Sequence, residues 1–305
     1  MSIVTLFTWV QRGTPGKDDT VTSSAALKLL DGFSLEMTGK DVPGLEEARD
    51  AIPLGTKINV TFLGNEDLEM RVNAAKAVKD MGFVPVPHIS ARRLSSQAQL
   101  EEFLDRLQQV GATEHVFCVG GDPATPEGPY PDSLSVIRTG ILQRYGVAEV
   151  SIAGYPEGHP DIADDVLWKH LEDKSAALQE QGLGAVVLTQ FAFDADAVLS
   201  WVQGVRSRGI DSELRIGTPG PAGIKRLLNY ARRFGVGSSA GIVKKYGFSL
   251  TNLMGTAGPD RFMTELGQRL ESHPESGVVG THFYTFGGLR ATAEWARSFA
   301  TGAQA

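Results

Sequence analysis

At 305 residues the chain has the length of two average domains, or of one large α/β barrel with additions. Its 29 basic and 36 acidic residues leave a net charge of −7, which argues against a nucleic-acid backbone or an anionic membrane surface as partner. The single cysteine, Cys118, excludes intramolecular disulfides and cysteine-built zinc sites, and reads as a buried strand residue.

In chain order, residues 1–31 read as an amino-terminal extension with a short helix around Ser23–Leu30, expected against the end or side of the domain that follows. The leading MSIVTLFTWVQRGTPGKDDT has no basic leader before its short apolar run, so no signal peptide is read and the expected compartment is the cytoplasm. No apolar stretch approaches the roughly 20 residues that span a bilayer. Residues 32–300 repeat one rhythm: a short apolar run, a turn with Gly, Pro or Asp, then an amphipathic stretch. The runs are GFSLEM (32–37), KINVTFLG (57–64), FVPVPHI (83–89), HVFCVGG (115–121), EVSIAGY (149–155), AVVLTQF (185–191), ELRIGTPG (213–220) and VVGTHFY (278–284). Most are short and rich in Val and Ile, as strands of a buried parallel sheet are. Between them Leu100, Phe103, Leu104 and Leu107, and again Val198, Trp201, Val202 and Val205, follow helical spacing. Gly82, Gly111, Gly146, Gly182, Gly209 and Gly235 read as helix stops. Eight strands alternating with helices predict right-handed parallel crossovers closed into a single-domain (β/α)8 barrel, with residues 301–305 within a frayed tail.

In such a barrel the site lies at the carboxyl ends of the strands. There the runs end in Glu36, Thr61, His88, Asp122, Tyr155 with Glu157 and His159, Gln190, Thr218 and His282, while their apolar neighbours upstream are expected to fill the barrel interior. Taken singly, each polar position also fits a wet strand end, and Glu36 fits a solvated partner of Lys40. Two carboxylates, Glu36 and Asp122, an amide and up to three imidazoles at one mouth weigh against that. A buried Glu36 would have its pKa raised and become a proton donor near neutrality. Gly120-Gly121 lacks the GxGxxG or GK[ST] context, though adjacent glycines let backbone approach a flat ring or a phosphate. No HxH or HExxH pair exists for a metal, and none is expected. Ser34 and Ser90 have no nucleophile-elbow context.

These residues form a recognisable pattern. FSLEM (33–37), NVTF (59–62), VPHIS (86–90), GGDP (120–123), AGYPEGHP (153–160), TQFAFD (189–194) and THFYTF (281–286) together resemble the methylenetetrahydrofolate reductase family, a barrel that holds FAD. YPExHP and TQxxFD are the more specific pieces. The resemblance implies Glu36 as the general acid that assists opening of the methylene bridge. It implies Asp122 beside pterin and flavin, and Gln190 hydrogen-bonding the pterin. Thr61, His88, Gly121, Tyr155 and His159 would contact FAD, and Lys174 would serve its phosphate end. NAD(P)H is implied as hydride donor and a folate as substrate. The chain departs from the family at Gly120, where the pattern has Arg, and at Trp168, near an expected acid. Gly287-Gly288 replace Asn-Arg, so that Arg290 becomes the nearest substitute for the substrate-binding arginine.

The leading expectation is therefore an oxidoreductase of folate one-carbon units. The same chemistry run oxidatively in a demethylation pathway, or without flavin, stays open. So does a non-catalytic folate- or flavin-binding partner of a methyltransferase. Barrels commonly self-associate, and a homo-oligomer is left open.

Overall fold

The computed structural model describes residues 24–223 and 256–302. Eight parallel strands, β1 (Ser34–Met37), β2 (Lys57–Val60), β3 (Val84–Ser90), β4 (His115–Val119), β5 (Glu149–Gly154), β6 (Gly184–Phe191), β7 (Glu213–Pro219) and β10 (Val279–Tyr284), coincide with the eight apolar runs. They close in the order β1-β10-β7-β6-β5-β4-β3-β2. A short antiparallel ribbon pairs β8 (Ala222–Gly223) with β9 (Thr256–Ala257). The fold is the single-domain (β/α)8 barrel that the alternation predicts.

Around it lie α2 (Val42–Ala48), α3 (Leu68–Asp80), α4 (Gln97–Gln109), α5 (Ser133–Ile137), α6 (Ile141–Arg144), α7 (Asp164–Glu180), α8 (Ala195–Ser207), α9 (Asp260–Glu271) and α10 (Leu289–Thr301). The predicted stripes of α4 and α8 are buried. The helix expected around Ser23–Leu30 is α1 (Ser24–Lys28), and it lies against α9: a Cβ at Gly267 would stand 2.6 Å from the Ala26 Cα. Helix α10 runs through Thr301 and is stopped by Gly302 at φ 67°.

Five helices end on one device. After α3, α4, α6, α7 and α8 the chain turns at Gly82, Gly111, Gly146, Gly182 and Gly209, all at positive φ. The apolar residue after each glycine returns its N–H to a carbonyl five residues back, as in Phe83 to Val78, Leu183 to Leu178 and Ile210 to Val205. This is the Schellman arrangement, and only glycine adopts its left-handed residue without cost. Gly235 lies outside the described residues.

The apolar residues do not fill the barrel interior, contrary to the expectation. Strand side chains alternate with period two, so the apolar set Leu35, Ile58, Val60, Cys118, Ile152, Val187, Ile216 and Phe283 faces the helices in one continuous core. A separate small cluster, Val86, Phe117 and Leu188 with Val119, Ala153 and Tyr284, lies inside the barrel. Below it the interior holds Ser34, Asn59, Ser151, Arg215 and His282, all buried. At the amino-terminal end Lys57 Nζ and His115 Nδ1 meet Glu149 Oε1 at 2.6 and 3.1 Å. Burial pushes the Glu149 carboxyl up, but hydrogen bonds from His115 and Lys57 and the Lys57 charge outweigh it and hold the group at about 2.

Candidate active site

The carboxyl ends of the strands surround a cavity of about 500 Å³, lined by Glu36, Thr61, His88, Tyr155 and Gln190 among others. Five residues singled out in the sequence thus share one space. The alternation places a second polar tier beneath them: Ser34 two residues before Glu36, Asn59 two before Thr61, His282 two before Tyr284.

Glu36 is the centre of this arrangement. Its side chain is 20% exposed, and Oε2 lies 3.8 Å from His282 Nε2. Its backbone carbonyl accepts from Thr285 Oγ1 at 2.7 Å, which locks β1 to the turn after β10. Burial pushes the carboxyl up to about 7, against the opposing pull of His88. His88 stands edge-on to Phe117, with ring centroids 4.7 Å apart. Burial drives its pKa down to about 4, so the ring is neutral at pH 7. Lys40, the alternative partner for Glu36, is exposed.

Gln190 owes its aim to an irregularity of β6, where pairing with β7 slips between Leu188 and Phe191. Thr189 Oγ1 accepts from the Gly217 N–H and donates to the Gln190 carbonyl, both at 2.8 Å. The Gln190 Oε1 accepts from the Phe191 N–H at 3.0 Å, which leaves the amide NH₂ as the group offered to the cavity. The walls are aromatic: Phe191 lies 5.4 Å from Tyr284 and 6.1 Å from Phe286 between ring centroids, and Tyr284 and Phe286 are 25° from parallel. Phe286 is held at φ 50°, a conformation a bulky side chain adopts only under constraint. Thr61 Oγ1 and His88 Nε2 are buried in the cavity wall without hydrogen-bond partners. Such atoms are what a ligand with polar ring edges would satisfy.

Several expected site residues stand elsewhere. Asp122 is not among the residues lining the cavity; its side chain is 67% exposed and accepts from Arg93 Nε and Nη2 at 2.9 and 2.6 Å. The loop after β4 is laced to the turn after β3, through Arg92 N–H to the Gly120 carbonyl and Glu127 N–H to the Arg92 carbonyl, and this carries Asp122 outward. Gly121, at φ 96°, packs on Ser90, whose Oγ a Cβ would meet at 2.2 Å. The second carboxylate of the cavity is Asp41, which caps the turn after β1 by accepting from Thr38 N–H and Oγ1 at 2.8 and 2.9 Å. Lys174 is buried on the barrel-facing side of α7 near Cys118, and burial draws its pKa down to about 8. Arg290 is at the exposed start of α10, bound to the Glu47 carbonyl, Asp50 and Glu294.

Beyond Tyr155 the cavity gives way to an open groove lined by His159, Asp164, Trp168, Ser200 and Trp201. Trp168 stacks on Trp201 with centroids 6.0 Å apart, and the Arg208 guanidinium lies 3.9 Å over its ring. Glu157 accepts from the N–H groups of Phe193 and Asp194 at 2.7 and 3.0 Å, so the YPEGHP and TQFAFD segments are knotted together. Thr218 is fully buried and His282 lies one tier down. Among the described residues no group of three or more His, Cys, Asp or Glu is disposed to hold a metal ion.

The sequence pattern described above could have found Tyr284, Ser34 and Asn59, because each stands two positions from a polar strand-end residue. Asp41 carries its own signal, the Thr38-x-x-Asp41 spacing of a capping box.

Comparison with known proteins gives a consistent picture. The model of the family described as methylenetetrahydrofolate reductase matches residues 46–234, more than half of the chain. A 5,10-methylenetetrahydrofolate reductase of Pectobacterium carotovorum subsp. carotovorum is 28% identical over 180 residues, 57% of this chain and 57% of that protein. Methylenetetrahydrofolate reductase (NADH) 1 of Arabidopsis thaliana is 23% identical over 216 residues, 61% of this chain and 33% of that protein. The chain thus spans little more than half the length of the first relative and a third of the second. Among solved structures, a Clostridium thermocellum protein described as binding two copies of 5-methyl-5,6,7,8-tetrahydrofolic acid superposes with a TM-score of 0.56 at 11% identity. That match covers 90% of this chain and 95% of the other, and supports the fold.

Proposed function

Because the chain belongs to the methylenetetrahydrofolate reductase family, we propose that it interconverts 5,10-methylenetetrahydrofolate and 5-methyltetrahydrofolate, with NAD(P)H as the source of hydride and Glu36 as the proton donor. The observation that carries this reading is Glu36, a carboxyl pushed up to about 7 inside a cavity walled by aromatic rings.

In the reductive direction the bond from the bridging carbon to N10 breaks and its electron pair stays on nitrogen, which takes the Glu36 proton. The cationic iminium left at N5 accepts hydride at the exocyclic carbon, so one proton and one hydride are consumed. A carboxyl poised near neutrality is protonated often enough to give that proton and acidic enough to release it. The neutral rings of His88 and His282 add no positive charge that would compete with a cationic intermediate. The Gln190 NH₂ is disposed to meet a carbonyl or ring nitrogen of the pterin, while Phe191, Tyr284 and Phe286 exclude water and orient flat rings. Direction follows from metabolite ratios, since the same groups lower both barriers.

FAD is the carrier we propose between nicotinamide and folate; when bound, it stores the hydride between the two half-reactions. Thr61 and His88 fit its ring through their unsatisfied buried atoms, with Tyr155 and His159 continuing toward the groove. One observation favours a second reading, direct transfer from nicotinamide to folate. The α7 residues facing that groove are Asp164 and Trp168, and the Lys174 of the same helix is turned away.

The test is conversion of methylene- to methyltetrahydrofolate by the purified protein with and without added FAD. Glu36→Gln should lower kcat by about 10²–10⁴-fold; unchanged turnover removes Glu36 from the mechanism. A folate-binding protein with no turnover under any carrier would mark a non-catalytic partner instead.

A further inference from the structure

We propose that His282 is a positioning residue for Glu36: held from below by Ser34 and Asn59, it presents an Nε2–H to the carboxylate that Glu36 becomes once its proton has left. The inference rests on the reading of Glu36 as the proton donor, and the family resemblance assigns His282 no role.

The geometry dictates the tautomer. His282 Nδ1 lies 2.8 Å from Ser34 Oγ and 3.3 Å from Asn59 Nδ2. With the Asn59 amide oriented so that its Nδ2 faces the ring, that nitrogen can only donate, so Nδ1 accepts and the proton of the neutral ring sits on Nε2. The ring is neutral because it is fully buried and stands in the field of Arg215 from β7, which together take its pKa down to about 3. Nε2 has no hydrogen-bond partner, and the nearest carboxylate oxygen is Glu36 Oε2 at 3.8 Å.

That separation is about 1 Å longer than a charge-assisted N–H···O bond. While Glu36 carries its proton it has little to offer a donor. Once ionised, it attracts the Nε2–H, and the gap closes by a modest side-chain movement. The donor therefore stabilises the state formed when the proton leaves, more than the state before, which is the condition for lowering a barrier. No proton passes to His282: the O–H bond of Glu36 breaks, an N–H bond forms on the folate, and the imidazole donates a hydrogen bond throughout. The other groups that face Glu36 are His88 from β3 and Tyr284 from β10, with Asp41 and Tyr155 sharing the cavity. Of these, Asp41 is engaged with Thr38, and the Tyr284 hydroxyl donates to the Thr189 carbonyl at 3.0 Å.

The experiment follows Glu36 directly, by difference infrared titration of its carboxyl band, assigned through the loss of that band in Glu36→Gln. It is run on the full-length protein and on His282→Leu, His282→Gln and Ser34→Ala. In His282→Leu the Glu36 midpoint should rise by about one pH unit and kcat fall about tenfold or more, with KM for the folate changed by less than about twofold. His282→Gln, whose amide reaches as far as Nε2, should restore most of the midpoint. Should His282→Leu fail to fold, Ser34→Ala decides: its midpoint should rise by about half a pH unit. A folded variant of either kind with the wild-type midpoint, or a lower one, overturns the proposal. Loss of all folate turnover in the wild type would instead retire the proposed reaction, while the midpoints would still decide the role of His282.

Discussion

His282 and Phe283 are consecutive residues of β10, both fully buried, and they serve opposite purposes. Phe283 points outward between Phe33 and Trp295, with ring centroids 5.7 and 5.5 Å away, in the apolar layer joining strands to helices. His282 points inward among Ser34, Asn59 and Glu36. The outer layer gains from removing hydrocarbon from water and is dense and continuous. The inner one buries polar groups, several without partners, at a cost to stability that persists where a site needs it. The barrel wall thus separates a region that holds the fold from a region the fold supports.

The largest test of that division is Phe283→Ala. It should cost about 3–5 kcal/mol by chemical denaturation, as for other buried aromatics, with unchanged denaturant dependence. A loss below about 1 kcal/mol would mean that the outer layer collapses around the void and is not the stabilising region.

A second comparison lies within the interior, between two glutamates shifted in opposite directions. Glu149 is held at about 2, below its ordinary 4.5, so its contribution is present above pH 4.5 and is lost as pH falls toward 2. Glu36 is raised to about 7, so its protonated form favours the fold below pH 4.5, and that contribution is lost as pH rises through 7. Each effect should be on the order of 2–3 kcal/mol. Stability measured against pH should then lose part of its acid limb in Glu149→Gln and part of its decline between pH 4.5 and 7 in Glu36→Gln. Parallel curves for wild type and both variants would show that neither group titrates differently in the folded chain.

The smallest expected effect is also informative. Thr61→Val replaces a buried, unpartnered hydroxyl with a methyl of the same shape, and should change stability by less than about 0.5 kcal/mol or raise it slightly. Affinity for FAD, the ligand proposed for Thr61, should fall, read by equilibrium titration. Equal affinity would remove Thr61 from the ligand contacts.

Much of this was legible in the residues. The short apolar runs coincide with all eight barrel strands, and predicted glycine stops precede five of them, because parallel strands are buried on both faces and helices need a left-handed stop. Glu36, Thr61, His88, Tyr155 and Gln190 meet because each stands at a strand's carboxyl end and faces inward. Asp122 was placed with them by the same rule, but its position is decided by Arg93, 29 residues earlier, which no local pattern reveals. Lys174 is the residue that the resemblance assigns to the phosphate end of FAD. Yet its spacing with Leu171 and Leu178 puts it on the buried stripe of α7, and that signal was present in the sequence. The polar interior was missed because runs such as KINV and ELRI look uniformly suited to a core, until alternate residues are assigned to opposite sides of the wall.

The five identical glycine joints all stand where a helix hands over to the next strand, at the end of the barrel away from the cavity. Five of the eight strands are thus entered through short couplings built alike, while the opposite rim is built from connections of unequal length and individual design. Adaptation to a new ligand would proceed by rewriting the rim one loop at a time, with those couplings left as they stand.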